Sequence, residues 1–226
     1  MRHRLSLDRI NYLMVLVLLP ALAVIAARLS SLRSTLRDKR RELTHALAEV
    51  QRLAITDELT SLPNRRWMIE RLEQEQRRCD EGDGLFCVCI IDLDHFKLIN
   101  DRLGHAAGDR VLREFASRAR AALSARVMRA RWGGEEFLLL LPGLDATASH
   151  DSVARLAMSM AAWQVDGQRL TFSAGIAQAR PSRPVDETIA MADSGMYRAK
   201  DAGRDRIVVA MPTDDASHTS DFTLVG

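Results

Sequence analysis

The stretch RWGGEEFLLLLPG, residues 131–143, decides the fold of this chain. An apolar run, Phe137 to Leu141, follows two glycines and two adjacent carboxylates. Residues 127–132 precede it with a second β-prone segment. Gly133-Gly134 between the two reads as a two-residue hairpin turn. The rest of the sequence alternates helix and strand patterns. Helices are predicted over 65–79, 105–123, 147–163 and 185–201. Strands are predicted over 85–93, 127–132, 136–141, 170–177 and 206–210. A hairpin inside such an alternation means that the sheet is not all parallel. The fold class is therefore α/β of the α+β kind.

Outside this region the chain changes character. Residues 10–27, INYLMVLVLLPALAVIAA, carry no charge and sit near the lower length limit for a membrane-spanning helix. Pro20 would kink such a helix, which membranes tolerate. Ala21-Leu22-Ala23 is also the small-residue site a cleaved signal peptide would use. Arg28, Arg33, Arg37, Lys39, Arg40 and Arg41 follow the segment, against Arg2, Arg4 and Arg9 before it. The heavier basic cluster predicts that the C-terminal side is cytoplasmic. Leu29, Leu36, Leu43 and Val50 then recur every seven residues, with Leu32, Lys39, Ala46 and Leu53 in the second register. That pattern predicts a short parallel dimerising coil, or else a single amphipathic helix. The expected organisation is a short leading segment (1–9), a transmembrane helix (10–28), a coiled coil (29–55), an α/β domain (56–210) and a flexible tail (211–226).

Composition narrows the function. A net charge of +2 over 226 residues gives no general case for nucleic-acid binding. Cys79, Cys87 and Cys89 make an odd count without metal-ligand spacing, which points to reduced core thiols.

Two acidic clusters carry the chemistry. Asp92 and Asp94 end one apolar strand, and Glu135 and Glu136 sit at the predicted hairpin tip. If these strands are neighbours, the carboxylates converge and repel, and a hard divalent cation is the usual remedy. Magnesium takes few protein ligands and completes its shell with substrate phosphates, which suits phosphoryl transfer. Glycine at 133 and 134 leaves room for a nucleotide to approach the backbone. The plain alternative is a surface turn with solvated acids. Lys97, Lys200 and Arg204 add cations that suit triphosphate oxygens, although the last two also suit a helix C-terminus. Asn100 and Asp109 match the donors and acceptors on the edge of guanine, although Asp109 alone suits a helix start.

Six motifs in order then resemble the GGDEF family of diguanylate cyclases. They are DELTSLPNRR (57–66), IDLDHFKLIND (91–101), GHAAGD (104–109), RWGGEEF (131–137), SAGIA (173–177) and ADSGMYRAKDAGRD (192–205). The resemblance covers about two-thirds of the chain. It implies a mostly antiparallel central sheet wrapped by helices, like the palm of nucleotide cyclases and polymerases. It also implies condensation of two GTP into cyclic di-GMP with release of two pyrophosphates, one GTP on each subunit of a homodimer. By resemblance Asp92, Glu135 and the Leu93 carbonyl are magnesium ligands, with manganese as a substitute. Glu135 is also the candidate base for the ribose 3′-hydroxyl, with Glu136 the neighbouring acid. Asn100, His105 and Asp109 line the guanine, Lys97 offsets developing charge, and Lys200 and Arg204 hold phosphates. The membrane segment would then place a single-pass protein in a bacterial inner membrane with its catalytic domain in the cytoplasm.

The chain departs from the family at three places. Ser124 and Val127 stand where many members carry an Arg-x-x-Asp product-inhibition site, so feedback through that site is not expected. Ser61 replaces a frequent glycine, and Asp205 replaces a frequent asparagine after Arg204. The rival readings are a catalytically silent receptor for GTP or cyclic di-GMP, and a cyclase making another dinucleotide.

Overall fold

The computed structural model describes residues 28–34, 36–41 and 55–210. The transmembrane helix expected at 10–28, apart from Arg28, the later part of the heptad stretch and the tail at 211–226 lie outside these residues. Among the described residues no helix is long and apolar enough to cross a membrane. Residues 28–34 and 36–41 are helical and belong to a unit separate from the α/β domain. Within these residues Leu29, Leu32 and Leu36 are exposed.

The α/β domain runs α1 (Arg65–Asp80), β1 (Phe86–Leu93), α2 (Phe96–Leu103), α3 (His105–Ala122), β2 (Met128–Gly133), β3 (Glu136–Pro142), α4 (Ala146–Met160), β4 (Gln164–Val165), β5 (Gln168–Arg169), β6 (Phe172–Gln178), α5 (Val185–Asp201) and β7 (Arg206–Ala210). Five strands form one sheet in the order β2-β3-β1-β6-β7. Three of its four pairings are antiparallel, and β6–β7 is parallel.

Every residue of β1 is buried, so it has no solvent face. Successive side chains alternate between two cores. Cys87, Cys89, Ile91 and Leu93 join Phe115, Phe137 and Leu156 on one side. Phe86, Val88 and Ile90 join Met68, Leu72 and Met196 on the other. Helices therefore cover both faces, which explains the uninterrupted apolar runs of β1 and β3. The three cysteines are free and buried, as their spacing indicated. Burial pushes the Cys87 thiol up to about 11, so it is an inert core group.

Gly175 and Gly195 set α5 against β6. A Cβ at Gly175 would stand 2.0 Å from the Ala192 carbonyl oxygen and 2.2 Å from the Met196 nitrogen. Only glycine allows the helix to lie this close to the sheet. That contact delivers the end of α5, with Lys200, to the same sheet edge as Asp92.

Two expectations are corrected and two unpredicted elements are added. The β2–β3 turn is Gly134-Glu135, not Gly133-Gly134: Gly133 is the last residue of β2 and pairs with Glu136. A register shift between Arg131 and Gly133 moves the tip by one residue. Neither glycine takes a positive φ, so the pair is not there for a left-handed turn. Secondly, α2 is an additional helix. It starts after His95, at φ 60°, and stops at Gly104, at φ 79°. Eight residues are too few for a clear helical period. Thirdly, β4 and β5 form a small hairpin around Asp166-Gly167, both at positive φ. Asp-Gly is itself a strong hairpin signal, hidden inside a segment whose flanks are polar. Lastly, α4 ends at Met160 rather than 163.

Candidate active site

The site forms where β1 and the β2–β3 hairpin end together. Asp92 pairs with Glu136 on β3 and with Ser173 on β6. The Leu93 N–H donates to the Glu135 carbonyl at 3.4 Å. Asp92 is only 5% exposed, and Lys200 Nζ lies 2.7 Å from its Oδ2. Burial raises the Asp92 carboxyl above its ordinary range, while the Lys200 hydrogen bond and charge oppose the shift. Burial also raises Glu135 and Glu136, and the charge of Asp92 raises both further. The three carboxylates therefore feel one another as predicted from sequence. Lys200 offsets part of their repulsion.

Which cation fits follows from the donors. Among the described residues no group of three His, Cys, Asp or Glu side chains is placed to hold a metal by itself. Asp92 and Glu135 offer two hard oxygen donors at one strand end, with the Leu93 carbonyl next to them. A small hard cation that keeps waters and takes substrate oxygens needs no more.

Asp94 does something different from its neighbour. It is buried, and it accepts from Thr171 Oγ1 and Ser173 Oγ, both at 2.7 Å, and from the Asp205 N–H at 3.0 Å. These three donors consume the carboxylate. Asp94 ties β1, β6 and the α5–β7 loop together, and its charge adds to the repulsion felt by Asp92.

Arg131 holds the hairpin tip. Its Nε and Nη2 donate to the Gly134 carbonyl at 3.2 and 2.8 Å. Its Nη1 reaches Asp57 Oδ2 at 3.1 Å. Burial favours protonation of Asp57, but hydrogen bonds from Thr60 and the Arg131 charge outweigh it and hold the carboxyl below its ordinary value. The Arg131 N–H also donates to the Pro63 carbonyl. One residue thus couples the segment entering the domain to the turn that carries Glu135. Sequence reading missed this role. The signal was the arginine next to the turn and an aspartate at the domain entrance, but their contact spans 74 residues.

The glycines leave bare backbone at the tip. Gly134 is exposed and nothing stands where its Cβ would be. A Cβ on Gly133 would come within 3.2 Å of Glu136 Oε2.

The residues expected at the guanine gather at the α2–α3 corner. Asn100 lies on α2, and His105 and Asp109 lie in the first turns of α3. Gly108 is buried beneath Asn100: a Cβ there would stand 2.0 Å from Asn100 Oδ1. The missing side chain lets the Asn100 amide lie against α3, next in sequence to Asp109. Arg204 is exposed in the loop after α5, and its charge acts on Asp92. Lys97 stands apart: it is exposed on the first turn of α2. The cations acting on the three carboxylates are Lys200, Arg204 and Arg65.

Ser124 and Val127 lie near the opposite end of the sheet. Val127 is buried and Ser124 is exposed, its carbonyl accepting from Arg129 Nη2 at 2.7 Å. A cavity of about 460 Å³ lies beside this loop, lined by Arg78, Leu85, Arg126 and Pro142 among others. None of the candidate residues lines it.

Comparison with known proteins identifies the family of the domain. The family model described as "Diguanylate cyclase, GGDEF domain" matches residues 54–206. The chain is 43% identical over 171 residues to diguanylate cyclase DgcP of Pseudomonas aeruginosa, covering 74% of this chain and 26% of that protein. It is 37% identical over 177 residues to response regulator PleD of Caulobacter vibrioides, covering 75% of this chain and 38% of that protein. The chain thus spans well under half the length of these relatives. The coiled coil and GGDEF domain of DgcB from Caulobacter crescentus, solved with c-di-GMP, superposes with a TM-score of 0.73 at 30% identity. That match covers 80% of this chain and all of the solved one.

Proposed function

This chain belongs to the GGDEF diguanylate cyclase domain family, and we propose that it condenses two GTP into cyclic di-GMP and two pyrophosphates. The observation that carries this reading is the convergence of Asp92, Glu135 and Glu136 at one strand end beside Lys200. Magnesium, with manganese as a substitute, would be held by Asp92, Glu135 and the Leu93 carbonyl. When bound it supplies charge stabilisation to the phosphates and lowers the proton affinity of the 3′-hydroxyl. Glu135 accepts the proton of that hydroxyl, and Glu136 keeps the site acidic. Lys200 exchanges its Asp92 partner for the incoming phosphates, and Arg204 joins it there. Lys97 offsets charge that develops as pyrophosphate leaves. Asn100, His105 and Asp109 bind the guanine, and the bare backbone of Gly133 and Gly134 admits the nucleotide.

Each subunit holds one GTP, and two subunits must face each other for in-line attack. The heptad pattern from Leu29 onward and its exposed leucines support a homodimer, as does the coiled coil present in the DgcB structure. Pairing raises the effective concentration of one half-site against the other. The uncharged segment at 10–27 and the basic residues after it support a single-pass anchor in a bacterial inner membrane, with the domain in the cytoplasm. No nucleic-acid partner is required. Ser124 and Val127 leave the enzyme without the Arg-x-x-Asp product brake.

The test compares purified wild type with Glu135→Gln, with magnesium and GTP. Wild type is expected to form cyclic di-GMP, and Glu135→Gln to bind nucleotide without forming product. Product formation at equal rates by both proteins would remove Glu135 from the chemistry. Its absence from both would defeat the cyclase reading.

A further inference from the structure

The small β4–β5 hairpin has no part in the sequence motifs, yet it ties into the α5–β7 loop next to the site. Gly203, Arg204 and Asp205 all have positive φ, at 105°, 64° and 48°. Two of these are non-glycine residues in the left-handed conformation that L side chains disfavour. The loop is held from both sides. The Arg204 N–H donates to the Ala199 carbonyl at 3.0 Å. The Asp205 N–H donates to Asp94 Oδ2 at 3.0 Å. The Asp205 carboxylate is engaged by the guanidinium of Arg169 on β5. At the other end of the hairpin, Asp166 pairs with Arg102 of α2 at 3.6 Å.

Asp205 poses an electrostatic problem. A free carboxylate next to Arg204 would repel a polyanionic ligand and compete for the Arg204 guanidinium. Arg169 resolves both difficulties from outside the site. We propose that Arg169 is a positioning residue for triphosphate binding: by pairing with Asp205 it neutralises the one acid of the α5–β7 loop and leaves Arg204 to the phosphates. This rests on the reading above, in which Arg204 holds GTP phosphates. Arg169 and Asp205 are each about half exposed, so the pair contributes little to folding. Its effect falls on the ligand, whose several negative charges all feel Asp205.

The experiment uses the full chain and 3′-deoxy-GTP, which binds but lacks the attacking hydroxyl. Equilibrium binding is measured with magnesium for wild type, Arg169→Gln, Asp205→Asn and the double variant. Steady-state rates with GTP are measured alongside. Arg169→Gln is expected to weaken binding and raise KM by about two- to fivefold, the size of a partly screened surface charge, with kcat unchanged. Asp205→Asn is expected to bind as tightly as wild type or more tightly. The double variant is expected to bind about as tightly as wild type, because removing the carboxylate removes the need for its partner. The penalty of Arg169→Gln should shrink at high salt. A double variant as weak as Arg169→Gln would overturn the proposal, since the arginine would then act through packing. Wild-type affinity in Arg169→Gln would overturn it as well. Failure of wild type to bind 3′-deoxy-GTP or to make cyclic di-GMP would instead defeat the functional reading, and this inference with it.

Discussion

Replacing Arg131 with glutamine isolates the coupling between the domain entrance and the turn that carries Glu135. The substitution deletes two hydrogen bonds to the Gly134 carbonyl and the ion pair with Asp57. Arg131 and Asp57 are 20% and 21% exposed, so the pair is neither a solvated surface bridge nor a fully buried one. A surface pair contributes about 0.2–1 kcal/mol, and a hydrogen bond to a charged group about 1.5–3 kcal/mol. Asp57 keeps its Thr60 contacts at 2.8 and 2.6 Å, so it is not left without donors. The expected loss is therefore about 2 kcal/mol, or roughly 4–8 °C in Tm for a domain of this size. The catalytic loss should be larger, because the turn is freed where Glu135 must be placed. A misplacement on the order of 1 Å can cost about 100-fold in rate. We expect kcat to fall by about 10- to 100-fold while 3′-deoxy-GTP binding changes little. Asp57→Asn leaves the Gly134 contacts in place, so it should spare kcat more than Arg131→Gln does. Thermal melting and steady-state kinetics on both variants decide the matter. Arg131→Gln with wild-type kcat and Tm would refute the reasoning, and show that the sheet alone holds the tip.

Gly108→Ala places a Cβ 2.0 Å from Asn100 Oδ1, so the amide must leave. GTP KM should rise by about tenfold, and discrimination between GTP and ITP should fall, because a mispaired polar group costs about 1–3 kcal/mol; unchanged discrimination would remove Asn100 from guanine recognition. Glu135 has a raised proton affinity, so its contribution to stability is present when it is protonated at low pH and is lost as pH rises through the raised pKa. In metal-free protein Glu135→Gln should therefore stabilise near pH 8, and have less effect at low pH, where the glutamate is already protonated. Melting curves with chelator at the two pH values test the sign. Asp57 has the opposite shift, so its contribution is present above its ordinary value of 3.8 and is lost as pH falls through its lower folded value. Initial rates with added cyclic di-GMP should be unchanged, and submicromolar inhibition would contradict the reading of Ser124 and Val127.

The strong patterns were legible in the sequence. The apolar runs of β1 and β3 are long because helices cover both faces of the sheet, and α3 and α5 carry clear helical periods. Asp92, Glu135 and Glu136 could be paired in advance, since both acidic clusters end strands that prove to be neighbours. Lys200 followed from its place at the end of α5. What was not legible depends on distance along the chain or on short elements. The eight residues of α2 and the two-residue strands β4 and β5 are too short to show a period. Asp94 looked like a twin of Asp92 because side chains two apart share a strand end. Its capture by Thr171, Ser173 and Asp205 comes from residues more than 75 positions away. The contact between Arg131 and Asp57 was hidden for the same reason, while that between Asn100 and Gly108 is local and depends on the corner between α2 and α3. The Gly-Gly pair reads as the hairpin turn and as room at the backbone; the turn itself lies one residue further on, and the room remains.

The stoichiometry of one reaction tests the central claim most directly. Wild-type protein is given GTP and magnesium, and GTP consumed, pyrophosphate released and cyclic di-GMP formed are quantified together. The site described here predicts one cyclic di-GMP and two pyrophosphates for every two GTP. GTP consumed with orthophosphate as the product, or with a linear or different dinucleotide, would contradict it.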